Sequence, residues 1–223
     1  MKNKTVPFLS ILFWILTSID IIAIGYGFTN IHFIVKPLLI PSLILLLIYS
    51  KKVGSNKWWL LTGLFFSFLG DVFLLYEYRN GLFFIFGLAS FLITHICYII
   101  YFLKIKSTQI SLLRQQPWMA ALVAGYGCSL IMLLYAGLGD LKIPVIIYAT
   151  VICFMLLCSL HVFYKTGRPS NVYFAAGALF FVVSDSLLAV NKFLTPFQSA
   201  GVLIMLTYCA AQFLIVKGFT NRQ

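Results

Sequence analysis

Eight apolar stretches, each about twenty residues long, follow one another along this 223-residue chain and constrain its fold more than any other feature. A helix of about 20 residues crosses the roughly 30 Å hydrocarbon core of a bilayer. With 62% hydrophobic and 9% charged residues, the composition excludes a soluble domain of ordinary size. We therefore predict an all-α fold, a polytopic transmembrane bundle of eight helices. The predicted spans are near residues 7–24, 31–50, 58–76, 81–103, 117–137, 143–164, 172–190 and 200–218.

The net charge of +11 is consistent with an acidic partner, but the basic residues alternate from loop to loop. Twelve of the sixteen lie on one side: Lys2, Lys4, Lys51, Lys52, Lys57, Lys104, Lys106, Arg114, Lys165, Arg168, Lys217 and Arg222. The opposite loops hold only Arg79, Lys142 and Lys192. By the positive-inside rule both termini are cytoplasmic. This pattern predicts a multi-pass protein of the bacterial inner membrane, with no nucleic-acid partner.

Two aspartates, Asp71 and Asp185, lie inside the apolar stretches of a chain that has only five acidic residues. A carboxylate at the centre of a membrane helix costs roughly 2.5–3.5 kcal/mol on insertion scales, and intramembrane acids mark functional sites by default. The two aspartates therefore predict a functional site within the membrane.

The third and seventh spans resemble one another at a constant offset. Residues 63–71 align with residues 177–185, which places Asp71 on Asp185, and the register continues from Gly87 to Gly201. An offset of four spans predicts two parallel repeats, 1–104 and 117–218, within one integral-membrane domain of residues 1–223. Chance similarity between Leu- and Phe-rich helices is the alternative.

Polar side chains on several spans face a common interior, because polar groups in lipid turn inward. The fourth span carries Thr94, His95 and Tyr98 on one face, and the eighth carries Tyr208 and Gln212. Lys36, Asn191 and Lys192 lie near the outer ends of their spans, as does Asp20, which has no assigned role. The pattern predicts a cavity open to the outer leaflet. A structural ion pair of Lys36 with an aspartate, a structural His95, and a zinc site of His95 with both aspartates remain alternatives.

These residues resemble the YhhN-like membrane proteins, which include lysoplasmalogenases. The resemblance rests on Lys36-Pro37, Gly70-Asp71, Gly87, Phe91, His95, Tyr98, Tyr148, Gly177-Ala178, Phe181, Ser184-Asp185, Asn191-Lys192-Phe193, Tyr208 and Gln212. It implies an eight-span fold and hydrolysis of the vinyl ether of lysoplasmalogens to a fatty aldehyde and glycerophosphoethanolamine or glycerophosphocholine. Within it, Asp71 and Asp185 are the expected catalytic pair.

Vinyl ether hydrolysis requires protonation of the carbon beta to oxygen and then attack of water on the oxocarbenium ion, steps that two carboxyl groups can serve. Our hypothesis is that Lys36 keeps Asp71 ionised as the base, with Asp185 as the general acid. The reverse assignment and a shared proton remain open. The expected substrate-binding residues are Lys36, His95, Tyr98, Ser184, Asn191, Lys192, Tyr208 and Gln212.

Two other function classes remain open. Buried acids with a lysine are also typical of a proton-coupled transporter or lipid permease, and His95 with the aspartates could serve a metal-dependent membrane amidase. For the hydrolase, the expected partners are a lysophospholipid substrate and membrane lipid, and no cofactor is expected. The sequence does not define an oligomeric state.

Overall fold

A computed structural model of the protein describes residues 5–50 and 56–222. The helices in this part of the chain are α1 Thr5–Gly25, α2 Thr29–Tyr49, α3 Lys57–Leu75, α4 Leu82–Leu103, α5 Leu112–Gln115, α6 Trp118–Leu134, α7 Lys142–His161, α8 Ser170–Phe193 and α9 Ala200–Asn221. All of them except the short α5 lie in segments long and apolar enough to cross a membrane. The predicted all-α, eight-span membrane fold is confirmed.

Most helix ends lie close to their predicted positions. The largest extensions are at α8 and α9, which continue to Phe193 and Asn221, three residues beyond the predicted ends at 190 and 218. Asp185 therefore lies eight residues before the end of its helix, about 12 Å along the axis, whereas the predicted end at residue 190 placed it five residues before the end. Lys2, Lys4, Lys51 and Lys52, on which the orientation partly rests, lie outside the described residues. The cytoplasmic location of the termini stays a prediction.

The chain forms two compact units, the first ending at Tyr98 and the second beginning at Ile99. In the first unit, α3 packs closely against α4. The Thr94 hydroxyl donates a 2.9 Å hydrogen bond to the Gly63 carbonyl oxygen. A Cβ atom at Gly63 would lie 2.6 Å from Cε1 of Tyr98, so only glycine permits this approach. Small residues at such crossings are typical of membrane helices.

In the second unit, α8 packs along α9 in a similar way. A Cβ atom at Gly177 would lie 3.0 Å from the Ala211 carbonyl oxygen, and the Ser184 hydroxyl donates a 3.1 Å hydrogen bond to the Ile204 carbonyl oxygen. The ends of α6 and α7 meet α8 in an apolar cluster that contains Leu134, Leu138 and Val145. These contacts fix the faces that α7 and α8 turn toward each other.

The two tight helix pairs share one packing register. Gly63 of α3 approaches Cys97 of α4, and Gly177 of α8 approaches Ala211 of α9. Each residue of the second pair lies 114 positions after its counterpart, which is the offset of the sequence repeat. The shared register supports the repeat as a hypothesis. The relation between the halves 1–104 and 117–218, and their membership of one domain, stay predictions.

Candidate active site

Asp185 lies on α8 and accepts a hydrogen bond from a tyrosine of the neighbouring helix. The Tyr148 hydroxyl on α7 donates to Oδ2 of Asp185 at 2.6 Å, a length typical of a hydroxyl bound to a carboxylate. Tyr148 is 8% exposed, so this bond is formed in a mostly apolar environment, where electrostatic interactions are stronger than in water. The bond holds the Asp185 carboxyl group in one orientation.

A hollow of about 40 Å³ between α6, α7 and α8 borders the Asp185 side chain. On its wall the Tyr126 hydroxyl donates a 2.7 Å hydrogen bond to Oγ of Ser186, and the Ser186 hydroxyl donates to the Val182 carbonyl oxygen at 2.6 Å. A water molecule needs roughly 10–15 Å³ of such space and two to four polar partners. The hollow is therefore large enough for water next to a carboxyl group, although most of its wall is apolar.

The sequence predicted Asp185 but assigned no role to the hydroxyl groups around it. Tyr148 is one of the residues on which the family resemblance rests, and that was the signal that could have identified it. Tyr126 and Ser186 carried no signal, because tyrosine and serine are common in membrane helices and only packing places these two on the same hollow.

Ser184 and Asn191 make structural contacts. The Ser184 hydroxyl is bonded to the α9 backbone, and Oδ1 of Asn191 accepts a 3.2 Å hydrogen bond from the Phe197 amide, which shapes the turn between α8 and α9. Lys192, near the end of α8, is exposed. The substrate-binding roles predicted for these three residues stay predictions.

Tyr208 and Gln212 form one buried polar group on α9. Nε2 of Gln212 donates to the Tyr208 hydroxyl at 3.4 Å, and the Tyr208 ring packs edge-to-face on Phe181 of α8. Gln212 is 0% exposed and Tyr208 is 4% exposed. The sequence prediction that both side chains face the interior is confirmed, whereas their contact with substrate stays a prediction.

In the first unit, Asp71 lies four residues before the end of α3 and is 2% exposed. The preceding Gly70 allows the Phe91 ring of α4 to approach, since a Cβ there would lie 2.7 Å from Cε2 of the ring. His95 and Tyr98 of α4 are both 0% exposed. These residues are buried as predicted, and their roles toward substrate stay predictions.

Lys36 is 8% exposed on α2. Neither a hydrogen bond nor an ion pair of Lys36 is found among residues 5–50 and 56–222. The pairing expected with Asp71 is thus not found in this part of the chain. The roles predicted for Lys36, in setting the charge of Asp71 and in binding a phosphate, stay predictions.

Asp20, which the sequence left without a role, is the buried partner of His32. Nδ1 of His32 lies 2.8 Å from Oδ1 of Asp20, and the Asp20 side chain is 1% exposed against 21% for His32. The short turn from α1 to α2 brings the two residues together across a helical hairpin. That connection length was the signal that could have identified the pair. The contact is structural and lies within the first unit.

The described residues contain no group of three or more His, Cys, Asp and Glu side chains arranged to hold a metal ion. The zinc site considered from the sequence therefore gains no support from these residues.

Comparison with known proteins agrees with the family resemblance seen in the sequence. A model of the YhhN family matches residues 31–219. The "Lysoplasmalogenase" of Mycobacterium bovis is 29% identical over 192 residues, covering 84% of this chain and 71% of that protein. The human "Lysoplasmalogenase TMEM86A" is 36% identical over 157 residues, covering 69% of this chain and 61% of that protein. No solved structure matches the chain.

Proposed function

This chain belongs to the YhhN family, and from that premise we propose that it is a lysoplasmalogenase, an integral membrane hydrolase that cleaves the vinyl ether of lysoplasmalogens. Relatives with that name, from a mycobacterium and from human, support the reaction. The observation that carries the mechanism is Asp185, held by the Tyr148 hydroxyl at the edge of a water-sized hollow. The products are a fatty aldehyde and a glycerophosphodiester such as glycerophosphoethanolamine.

The reaction has two demanding steps. An acid transfers a proton to the carbon beta to the ether oxygen, and the resulting oxocarbenium ion takes up water to form a hemiacetal. Collapse of the hemiacetal breaks the bond between carbon and the glycerol oxygen, which leaves as an alcohol. A carboxylate next to the cation stabilises it and removes a proton from the water, so an acid and a base are both required.

Asp185 is the base in this scheme, which reverses our first assignment. The Tyr148 hydroxyl donates a hydrogen bond to Oδ2 of Asp185, which orients this carboxyl group beside the hollow. A water molecule in the neighbouring hollow would lie beside this carboxyl group. Asp71, which the sequence selects as the second carboxyl group, is assigned the acid role. Asp71 is 2% exposed, and the scheme needs a second carboxyl group to transfer a proton to carbon.

An aldehyde-release assay tests the function. Purified protein in detergent is incubated with a 1-alkenyl-lysophosphoethanolamine, and fatty aldehyde is quantified by mass spectrometry. We expect aldehyde release in proportion to protein. An ester lysolipid with the same headgroup is the control. If the vinyl ether substrate stays intact, the proposed function is wrong, and a transporter or permease would give this result because it changes no bond.

The same reaction in heavy water tests the mechanism. Proton transfer to carbon places one deuterium on the carbon next to the aldehyde carbonyl. A sample of the aldehyde incubated in heavy water without substrate measures background exchange. Aldehyde without deuterium above that background would rule out protonation at carbon, whatever the enzyme's activity.

A further inference from the structure

A second hollow lies in line with the one beside Asp185. It has a volume of about 390 Å³ and is formed by the same three helices, nearer the start of α6 and α8 and the end of α7. Trp118 and Leu122 of α6, Leu156 of α7 and Leu179 of α8 line it, and every residue on its wall is apolar. The two hollows together are called the α6–α8 groove below.

The α6–α8 groove follows one face of α8. Val172, Ala176 and Leu179 border the large hollow, and Val182 and Ser186 border the small one. Spacings of three and four residues place side chains on a single helix face. From Val172 to Asp185 the helix advances thirteen residues, about 20 Å, whereas one leaflet of the hydrocarbon core is about 15 Å thick. The two hollows together therefore extend over a length sufficient for one lipid chain.

The chemistry of the α6–α8 groove is that of a single-chain amphiphile. Its long part is apolar, and only the end at Asp185 has a carboxyl group and hydroxyl groups, those of Tyr148, Tyr126 and Ser186. Only 17% of the apolar window of α6 is buried inside the protein, so the helix that forms one wall faces the lipid phase. An amphiphile can therefore enter from the side without leaving the membrane.

We propose that the α6–α8 groove binds the alkenyl chain of the substrate, with the vinyl ether at Asp185 and the chain end toward Val172 and Trp118. This inference rests on the proposed function and adds to it the location of the chain. The groove limits the chain length that fits when the vinyl ether is at the carboxylate. The α8 helix continues eight residues beyond Asp185, which leaves about 12 Å on the other side for the glycerophospho group.

Chain-length selectivity of Ala176→Phe tests the proposal. Ala176 borders the large hollow, nine residues or about 14 Å from Asp185 along α8, beyond the reach of an octenyl chain but within that of a hexadecenyl chain. We expect the ratio of kcat/KM for hexadecenyl to that for octenyl substrate to fall at least about tenfold, since misfit of a few methylene groups costs that much or more. Ala121→Phe, on the exposed face of α6 outside the groove, is the matched control and keeps the wild-type ratio.

The outcomes separate the two proposals. If the wild-type protein cleaves neither substrate, the proposed function is wrong. If it cleaves both and the ratio is unchanged in Ala176→Phe, the chain lies elsewhere and the groove inference is wrong. If Ala176→Phe does not fold, Ala176→Leu is the smaller variant for the same ratio.

A binding measurement on the wild-type protein is independent of any variant. An alkyl ether lysolipid, which has no vinyl group to hydrolyse, carries a diazirine at its chain end and is photolysed in the presence and absence of excess unmodified lipid. We expect competed labelling within residues 118–123, 156–163 or 172–179. Competed labelling confined to other segments, or labelling that excess lipid leaves unchanged, would overturn the proposal.

Discussion

The Tyr148 hydroxyl donates a 2.6 Å hydrogen bond to Oδ2 of Asp185 across the interface of α7 and α8. The bond joins a phenol and a carboxyl group that are 37 residues apart in sequence and that both lie inside membrane-spanning helices. It fixes the orientation of the Asp185 carboxyl group at the edge of the hollow between α6, α7 and α8. A carboxyl group inside a membrane helix is energetically costly, and this hydrogen bond holds the Asp185 carboxyl group in one orientation.

Replacing Tyr148 by Phe removes this donor while keeping the ring. A hydrogen bond to a charged group contributes about 1.5–3 kcal/mol, so kcat is expected to fall about 10- to 100-fold while KM changes little. Steady-state kinetics of aldehyde release with a hexadecenyl substrate measure both parameters. Tyr173→Phe, a tyrosine on α8 outside the Asp185 hollow, is the control and should keep wild-type kcat. An unchanged kcat in Tyr148→Phe would show that the bond has no role in turnover.

His32→Phe should destabilise the first unit. The substitution removes the 2.8 Å partner of the buried Asp20 carboxyl group, and leaving a buried polar group without its hydrogen bond costs about 1–3 kcal/mol. Apparent melting temperature in detergent, measured at one scan rate because such unfolding is often irreversible, should fall clearly. The double variant Asp20→Leu with His32→Phe should recover most of the loss, since no charge remains buried. A double variant as unstable as the single one would mean that packing, not charge, holds this hairpin.

The fold was predictable and the contacts of the site were not, for a physical reason. Helix number and length follow from hydropathy along the chain, so the spans were placed to within a few residues. The rotation of each helix about its axis depends on packing against neighbours, and it decides whether a polar group meets a partner. Lys36 was expected to pair with Asp71 because their spans are consecutive, yet no such bond is found among the described residues. Tyr148 meets Asp185 because α7 packs on α8 in one register.

Gly177→Ala should weaken the packing of α8 against α9. The new Cβ would lie 3.0 Å from the Ala211 carbonyl oxygen and 3.1 Å from the Ile215 amide nitrogen, and backbone atoms cannot rotate away. Overpacking of this kind costs about 1–3 kcal/mol, which should appear as a lower apparent melting temperature. Gly125→Ala on α6 is the control: no atom lies within 4 Å of its Cβ, and better helix propensity should leave it neutral or slightly stabilised. Equal behaviour of the two variants would contradict the close approach.

The orientation predicted from the basic loops can be tested with single cysteines. In a variant lacking the five native cysteines, Asn80→Cys between α3 and α4 should react with a membrane-impermeant maleimide in intact cells. Ser107→Cys between α4 and α5 should react only after the membrane is permeabilised. The asymmetry follows from the excess of Lys and Arg on the cytoplasmic side. The opposite labelling pattern would invert the topology and place the Asp185 end of the groove toward the cytoplasm.

Asp185→Asn and Asp71→Asn should each reduce turnover of a vinyl ether lysolipid by about 10²- to 10⁴-fold, the usual contribution of one general acid or base. The asparagine at 185 keeps the shape of the side chain and an oxygen that accepts from Tyr148, but it cannot take a proton from water. Asp140→Asn, at an exposed position before α7, is the control for loss of a carboxylate and should keep full activity. Activity near that of the wild type in a folded Asp71 variant would remove Asp71 from the pair and leave Asp185 to serve both steps, as acid first and as base after it has given up its proton. Retained activity in the Asp185 variant would instead show that the oriented carboxylate beside the hollow is not the base.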